Sequence, residues 1–205
     1  MKLQFWFEYG STYSYPCAMR IENCARSHGV EVEWRPFLLG PLFKSQQGMS
    51  DSPFNIVPQK GAYMWRDLAR VCEKHGLPLN KPATFPQNSV LAARTTLTLP
   101  QTSRAAFAKC IYRANFVDGR DISDPETVHD CLGSAGLDAD AFLRAANESE
   151  IKSQLREETQ TAAERGIFGA PSLITPDGEL FWGDDRLEDA LAWTVNGTLR
   201  PPEQK

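Results

Sequence analysis

The chain has 205 residues, of which 41% are hydrophobic, 10% aromatic and 23% charged, and its formal net charge is -4. A chain of this length and composition is too apolar to be disordered, and it can form one domain or one domain with a sizeable insertion. Acidic residues outnumber basic ones, 26 against 22, without a cluster of lysine and arginine, which argues against nucleic acid as a partner.

The apolar stretches and the cysteines indicate where the protein resides. Stretches such as Leu3 to Phe7 are far shorter than the roughly 20 residues of a membrane helix, and the amino terminus lacks the apolar core of a secretory signal. The five cysteines include no CxxC pair, which is typical of reduced thiols; we interpret Cys72, Cys110 and Cys131 as small buried apolar side chains. The sequence therefore predicts a cytoplasmic protein without membrane partners. The histidines have no spacing that indicates a metal site.

The chain opens with a strand, a helix and a second strand. Hydrophobic residues alternate over Lys2 to Glu8 and again over Val30 to Phe37, which predicts two strands. Gly10 ends the first strand, and a helix then runs to about Ser27. One of three hydroxyl side chains caps this helix: Ser11, Thr12 or Ser14. Two strands joined by a helical crossover are usually parallel.

Helical patterns replace strand patterns from Gly40 to about Arg165. The predicted helices are Ala62 to His75, Ser89 to Leu99, Ser103 to Phe116, Pro125 to Leu132, Ala139 to Asn147 and Ile151 to Arg165. They occupy more than half of the chain in one block.

Strand character returns near the carboxyl end. Ser172 to Ile174 and Glu179 to Trp182 predict a hairpin, Leu187 to Val195 a closing helix, and Arg200 to Lys205 a frayed tail. This order predicts an α/β fold, a thioredoxin-like domain interrupted by a large all-helical insertion. We assign residues 1–42 and 166–200 to the thioredoxin-like domain and residues 43–165 to the insertion.

The turn after the first strand is the catalytic position of this topology. The first helix directs unpaired N–H groups and its positive dipole end at this turn, where thiolates are stabilised. Ser11 and Ser14 occupy the two positions where a redox enzyme carries cysteines, so disulfide exchange from this turn is excluded. The alternative is that both serines only cap the helix.

Two further segments are candidates for ligand contacts. In Gly169 to Ser172 a cis proline facing the first helix would leave the backbone of Ala170 free to pair with an extended, peptide-like ligand; the alternative is a trans proline opening an edge strand. In Gly183 to Arg186 an aspartate either caps the last helix or lies beside N–H groups that receive a carboxylate. Lys44 and Lys60, in predicted loops, either meet carboxylates or are solvated surface.

Together these segments resemble the 2-hydroxychromene-2-carboxylate isomerases, a family similar to the kappa-class glutathione transferases. The matching residues are Phe7-Glu8-Tyr9-Gly10-Ser11-Thr12-Tyr13-Ser14-Tyr15, Arg35-Pro36-Phe37-Leu38-Leu39-Gly40 with Phe43-Lys44, Asn55 with Lys60, Tyr63-Met64-Trp65-Arg66-Asp67-Leu68, Phe85-Pro86-Gln87-Asn88-Ser89, Gly166-Ile167-Phe168-Gly169-Ala170-Pro171 and Phe181-Trp182-Gly183-Asp184-Asp185-Arg186-Leu187. The chain departs from the family pattern at Thr12, where a proline is usual, and at Cys17.

The resemblance implies a homodimer that binds reduced glutathione between the thioredoxin-like domain and the insertion. Ser11 would be the catalytic serine, donating a hydrogen bond to the glutathione sulfur. Ala170, before Pro171, would pair with the cysteinyl amide. The contacts at the two ends would be Asp184, Asp185 and Arg186 around the γ-glutamyl group, and Lys44, Asn55 and Lys60 around the glycyl carboxylate or an acidic substrate. The candidates for the second substrate, which could equally be core residues, are Tyr63, Trp65, Phe85, Pro86 and Asn88.

The free energy needed to ionise a thiol near neutral pH matches what a Ser11 hydrogen bond and a helix end can supply. Lowering a thiol pKa from about 8.5 by two units takes about 2.7 kcal/mol. One charge-assisted hydrogen bond is worth roughly 1.5 to 3 kcal/mol and a helix end roughly 0.3 to 1 kcal/mol. An attacking Ser11 alkoxide would instead need an oriented base, and the turn contains no histidine.

Three functions follow from this interpretation. The first is a glutathione-dependent isomerase whose thiolate adds reversibly to a ring-opened hydroxychromene carboxylate or a related intermediate of aromatic degradation. The second is a kappa-type glutathione transferase or peroxidase. The third is a non-catalytic thioredoxin-like binding module.

Overall fold

Strand β1 (Lys2–Phe7) lies inside a four-stranded sheet, and its four apolar side chains, Leu3, Phe5, Trp6 and Phe7, are all buried. The computed structural model describes residues 1–49 and 51–200. The sheet order is β2-β1-β3-β4, where β2 is Glu31–Pro36, β3 is Ser172–Ile174 and β4 is Leu180–Trp182. β1 pairs with β2 in parallel and with β3 antiparallel, and β3 pairs antiparallel with β4, which confirms the predicted parallel pair and hairpin.

Helices fill the chain between β2 and β3, which confirms the predicted fold class. The helices are α1 (Ser14–Ser27), α2 (Leu39–Gln47), α3 (Pro53–Ile56), α4 (Pro58–Lys74), α5 (Val90–Thr98), α6 (Gln101–Phe116), α7 (Pro125–Ser134), α8 (Ala139–Ala145), α9 (Ser149–Glu164) and α10 (Leu187–Asn196), with a 3₁₀ turn at Asp184–Arg186. The division at residues 42 and 166 stays a prediction, and α2 runs across the first of these positions. The predicted tail lies outside the described residues, except for Arg200.

Helices α2 and α3 are absent from the sequence-based prediction, and α4 begins four residues before the predicted start. Each has a proline in its first turn, and a proline within an apolar pattern usually predicts the end of a helix. Pro41 lies in the first turn of α2, and Pro53 and Pro58 start α3 and α4. A proline is tolerated there because the first N–H groups of a helix have no partner within it. Lys44 and Lys60 therefore lie on helices, and their predicted placement in loops is wrong.

Two hydrophobic cores flank the sheet. Leu3, Phe5 and Phe7 point into the larger one, where the Phe5 ring meets the Trp34 ring edge-on at 4.9 Å between centroids. Side chains of α1, α6 and α10 complete this core. Trp6 points to the opposite side and packs with Phe37, under α9. The two layers hold β1 rigidly, so the turn that follows it has a fixed position.

None of the helices in residues 1–49 and 51–200 has both the length and the apolar character needed to cross a membrane.

Candidate functional site

Ser11 lies in a tight turn between β1 and α1, largely buried with 8% of its surface exposed. Its backbone N–H donates to the Glu8 carbonyl at 3.1 Å. Its hydroxyl donates to the Ala170 carbonyl at 2.8 Å and accepts from the Ser14 N–H at 3.3 Å. Of the three predicted capping side chains, Ser11 is thus the one that accepts from a helix-start N–H. The Ser14 hydroxyl is buried without a partner within the described residues.

The start of α1 also leaves backbone donors for a ligand. Within residues 1–49 and 51–200, the N–H groups of Thr12 and Tyr13 donate to no acceptor. They lie at the positive end of the helix dipole, next to the Ser11 hydroxyl. An anion at this turn would meet three donors without a charged side chain.

The loop before β3 faces this turn. The Ala170-Pro171 bond is cis, as predicted, and the alternative of a trans proline on an edge strand is wrong, since β3 lies between β1 and β4. A side chain at Gly169 would collide with the Trp182 ring, because an added Cβ would lie 2.4 Å from its Nε1. The Ala170 N–H has no acceptor in the described part of the chain, so this residue can offer a backbone donor to an extended ligand.

The Gly183 turn is attached to the same loop, because the Gly183 N–H donates to the Pro171 carbonyl at 3.0 Å. Asp184 is buried, with 5% of its surface exposed, and Arg20 of α1 donates to both of its carboxylate oxygens at 2.9 and 3.0 Å. Burial raises the pKa of Asp184 to about 6, against the opposing effect of Arg20. Asp184 does not cap the last helix; neither the 3₁₀ turn nor α10 has a side-chain cap, so that expectation is wrong.

Asp185 and Arg186 remain exposed. Their side chains approach each other at 3.5 Å, and Arg186 also contacts Asp189 at 3.1 Å. Arg20 was not predicted as a site residue, because no sequence motif connects it to Asp184. Its one signal is helical spacing: it lies three residues after Cys17, beside the buried stripe of α1.

Glu8 is a second residue that the sequence analysis missed. Its carboxyl group is buried under the turn, where it accepts from the Gly10 N–H at 2.9 Å and from the Ser89 hydroxyl at the start of α5. Burial raises the pKa of Glu8 to about 7, and the hydrogen bonds from Ser89 and Gly10 only partly oppose this effect. Glu8 thereby ties the turn to the insertion and, below about pH 7, adds no negative charge to it.

The insertion also approaches the turn at α4 and at the segment of Phe85 and Pro86. The Tyr13 hydroxyl donates to Asp67 of α4 at 2.9 Å, and a Cβ added at Gly10 would lie 3.3 Å from the Pro86 Cβ. The Phe85 ring in turn lies against the Trp65 ring, 4.9 Å between centroids. Three of the five predicted substrate contacts, Trp65, Phe85 and Pro86, are thus connected to the turn.

The other predicted contacts lie on the surface of the insertion. Tyr63 is exposed, and the Asn88 side chain accepts from the Val90 N–H at the start of α5. Asn55 is exposed on α3 and donates to the Asp51 carboxylate and, at 3.3 Å, to the Phe85 carbonyl. Lys44 and Lys60 are exposed, and neither forms an ion pair within the described residues. Their role toward a ligand stays a prediction.

The two departures from the family pattern are accommodated locally. Thr12 is buried in the turn before α1. Cys17 is buried in the larger core, and this burial raises the pKa of its thiol well above the ordinary value, so it stays neutral. Among residues 1–49 and 51–200, no group of three or more His, Cys, Asp or Glu side chains is arranged to hold a metal ion.

Glu8→Gln is expected to remove a pH dependence of folding stability. The pKa of Glu8 is raised from 4.5 to about 7, so between these values the folded protein keeps a proton that the unfolded chain has lost. The contribution of Glu8 is complete below pH 4.5 and is lost as the pH rises through about 7, a change on the order of 3 kcal/mol. Urea unfolding between about pH 5 and pH 8 measures this loss as the difference between wild type and variant. Parallel stability curves for the two proteins would contradict it.

Arg20→Met is expected to destabilise the protein by about 3 kcal/mol, because it leaves the buried Asp184 carboxylate without its cation. Arg26→Met, at an exposed position of the same helix, is the matched control and should change stability by less than about 0.5 kcal/mol. The free energy of unfolding in urea gives both values. If Asp184→Asn does not lessen the effect of Arg20→Met, the assigned pair is wrong.

The chain is similar in sequence and in fold to known proteins. The family model described as DSBA-like thioredoxin domain matches residues 2–192. A 2-hydroxychromene-2-carboxylate isomerase from Sphingobium xenophagum is 30% identical over 91% of this chain and 94% of its own length. Glutathione S-transferase kappa 1 from Homo sapiens is 26% identical over 78% of this chain and 75% of its own. A solved structure of 2-hydroxychromene-2-carboxylate isomerase superimposes with a TM-score of 0.83 at 25% identity, covering 94% of this chain and 95% of that one.

Proposed function

We propose that this chain, which belongs to the DSBA-like thioredoxin domain family and, within it, to the 2-hydroxychromene-2-carboxylate isomerases, is a glutathione-dependent isomerase. Its substrate would be 2-hydroxychromene-2-carboxylate or a related intermediate of aromatic degradation. The observation that carries the proposal is the buried Ser11 hydroxyl at the start of α1, in contact with the Ala170 carbonyl.

Binding of glutathione would free the Ser11 hydroxyl for the sulfur. Without a ligand this hydroxyl donates to the Ala170 carbonyl at 2.8 Å. A cysteinyl residue paired with Ala170 brings its own N–H to that carbonyl and receives the Ala170 N–H on its carbonyl. The Ser11 hydrogen, which rotates freely about the C–O bond, can then turn to the thiolate.

The available donors account for an ionised thiol. A hydrogen bond from Ser11 to the thiolate is worth roughly 1.5 to 3 kcal/mol, and the helix end with its free Thr12 and Tyr13 N–H groups adds roughly 0.3 to 1 kcal/mol. Together they lower the thiol pKa by about 1.3 to 3 units. No base beside the sulfur is required.

The γ-glutamyl group would lie at the Gly183 turn. Asp185 is the exposed carboxylate that can accept from its ammonium, whereas Asp184 is held by Arg20 and positions the turn. Arg186 and the N–H groups at the start of the 3₁₀ turn would receive its carboxylate. Lys44, Asn55 and Lys60 are the proposed contacts of the glycyl carboxylate or of an acidic substrate.

The reaction needs only a thiolate and room for rotation. The thiolate would add to an unsaturated carbon of the ring-opened substrate, the π electron pair would move to the conjugated carbonyl oxygen as an enolate, and the former double bond would become a single bond. The substrate rotates about this bond, the double bond re-forms, and the thiolate leaves unchanged. The apolar group formed by Trp65, Phe85 and Pro86 lies next to the turn and would hold the substrate, with Tyr63 and Asn88 as further proposed contacts.

A kappa-type glutathione transferase or peroxidase is the second candidate, favoured by the similarity to glutathione S-transferase kappa 1. It would use the same thiolate on an external electrophile or peroxide. Product analysis separates the two, since an unconjugated isomer supports the first and a glutathione conjugate or oxidised glutathione the second. We further propose a cytoplasmic homodimer, on the resemblance alone.

Ser11→Ala is expected to lower kcat/KM for isomerisation by roughly 10- to 100-fold, the equivalent of one hydrogen bond to a charged sulfur. Ultraviolet absorbance of the thiolate, titrated with glutathione bound, should show its pKa rising by about one to two units. Ser14→Ala is the matched control, because its buried hydroxyl has no hydrogen-bond partner among residues 1–49 and 51–200, and it should change both quantities by less than about 2-fold.

The proposal fails if the chromene is turned over at an undiminished rate without glutathione, or if Ser11→Ala keeps full activity. Calorimetry separates the remaining alternative: absence of heat at millimolar glutathione would favour a non-catalytic binding module.

A further inference from the structure

A cavity of about 410 Å³ lies between α1, α6 and α7, away from the Ser11 turn. Its lining includes Met19, Cys110, Arg113, Arg120, Cys131 and Ser134. Two of the five cysteines thus face one cavity, although 20 residues separate them in the chain. Neither carries a role in the proposed isomerisation.

The two thiols differ in exposure and line the same cavity from the neighbouring helices α6 and α7. Cys131 is buried, with 1% of its surface exposed, whereas Cys110 is half-buried and reaches the cavity. The interaction between the two thiols lowers the pKa of Cys110 and raises that of Cys131. Cys110 is therefore the sulfur that ionises first and that a small solute reaches first.

The basic side chains around these sulfurs form ion pairs with neighbouring carboxylates. Arg120 donates to Asp130, the neighbour of Cys131, at 2.8 Å, and Arg113 approaches Asp118 at 3.4 Å. Lys109, the neighbour of Cys110, pairs with Glu22 of α1. Because these cations already have carboxylate partners, the cavity is poorly suited to an anionic ligand and better suited to a small neutral one.

We propose that Cys110 and Cys131 form a peroxide-reactive dithiol that closes to a disulfide between α6 and α7. Cys110 would be the attacking thiol and Cys131 the resolving thiol. This inference does not rest on the proposed isomerase function, because the dithiol uses neither Ser11 nor glutathione for its oxidation. The interpretation of the cysteines as buried side chains is confirmed for Cys72 and Cys131, whereas Cys110 is only half-buried.

The oxidation balances with one molecule of hydrogen peroxide. The Cys110 thiolate attacks one peroxide oxygen, the O–O bond breaks, and the second oxygen leaves as hydroxide, which takes up a proton to become water. Cys110 is then a sulfenic acid. The Cys131 sulfur attacks the Cys110 sulfur, the S–O bond breaks, and hydroxide leaves with the Cys131 proton as a second water. Two thiols have lost two electrons, and the peroxide has been reduced to water.

Peroxide treatment of the reduced full-length protein, followed by alkylation and peptide mapping, tests the proposal. We expect the loss of two of the five free thiols, one peptide pair linked through Cys110 and Cys131, and full recovery of both thiols after dithiothreitol. Cys110→Ser should abolish the link. Cys131→Ser should leave a Cys110 sulfenic acid that dimedone traps, because the resolving thiol is gone.

Two variants serve as controls. Cys72→Ser removes a cysteine outside the cavity and should leave the link intact. Ser11→Ala should do the same, so that failure of the isomerase proposal and failure of the dithiol proposal are distinguishable. Circular dichroism checks that each variant folds; if Cys131→Ser does not fold, Cys131→Ala replaces it.

Three outcomes would overturn the proposal. In the first, all five thiols stay free after peroxide treatment, although free cysteine added in a parallel sample is oxidised, which shows that the peroxide is active. In the second, Cys110 is converted to sulfinic or sulfonic acid while Cys131 is still alkylated. In the third, the link joins other cysteines or two copies of the chain.

Discussion

The hydrogen bond from the Ser11 hydroxyl to the Ala170 carbonyl is the contact on which the candidate site depends, because it joins two segments 159 residues apart. The sheet order makes this contact possible. β3 lies directly beside β1, so the loop that precedes β3 meets the turn that follows β1. The Gly183 N–H then attaches the last turn to the Pro171 carbonyl. Three segments thus meet at one end of the sheet: the turn after β1, the loop before β3 and the turn after β4. Their backbone groups can pair with an extended tripeptide.

The electrostatics of the site depend on the removal of negative charge by two different means. Glu8 lies under the turn without a cation in contact, and burial keeps it protonated up to about pH 7. Asp184 lies at the other end, and Arg20 compensates its charge directly. What remains near Ser11 is the positive end of α1 with its unpaired N–H groups. A thiolate placed there, as the proposed function requires, would meet neutral donors only, so a hydroxyl would suffice without a base.

The sequence predicts the strands and the facing loops of this site better than the helices and buried charged residues that hold them in place. Alternation of apolar residues identifies β1 and β2, and the order of the elements along the chain predicts that Ser11 and Pro171 face each other. Helices α2 and α3 escape prediction because Pro41 and Pro53 resemble breakers, yet they lie in first turns, where no N–H is needed. Glu8 and Arg20 escape it for another reason. Their partners, Ser89 and Asp184, are 81 and 164 residues away, and local patterns contain no signal of such pairs.

Helix α6 shows how the two sulfur sites are related in the fold. Its Tyr112 hydroxyl donates to the Glu8 carbonyl at 3.0 Å, and the Asn115 side chain donates to the Tyr9 carbonyl at 3.1 Å, so one face of α6 holds the end of β1 in place. Cys110 lies on another face of the same helix, toward α7. The carbonyls of Glu8 and Tyr9 lie just before Gly10 and Ser11, so α6 supports the Ser11 turn through one face and carries a thiol of the proposed dithiol on another.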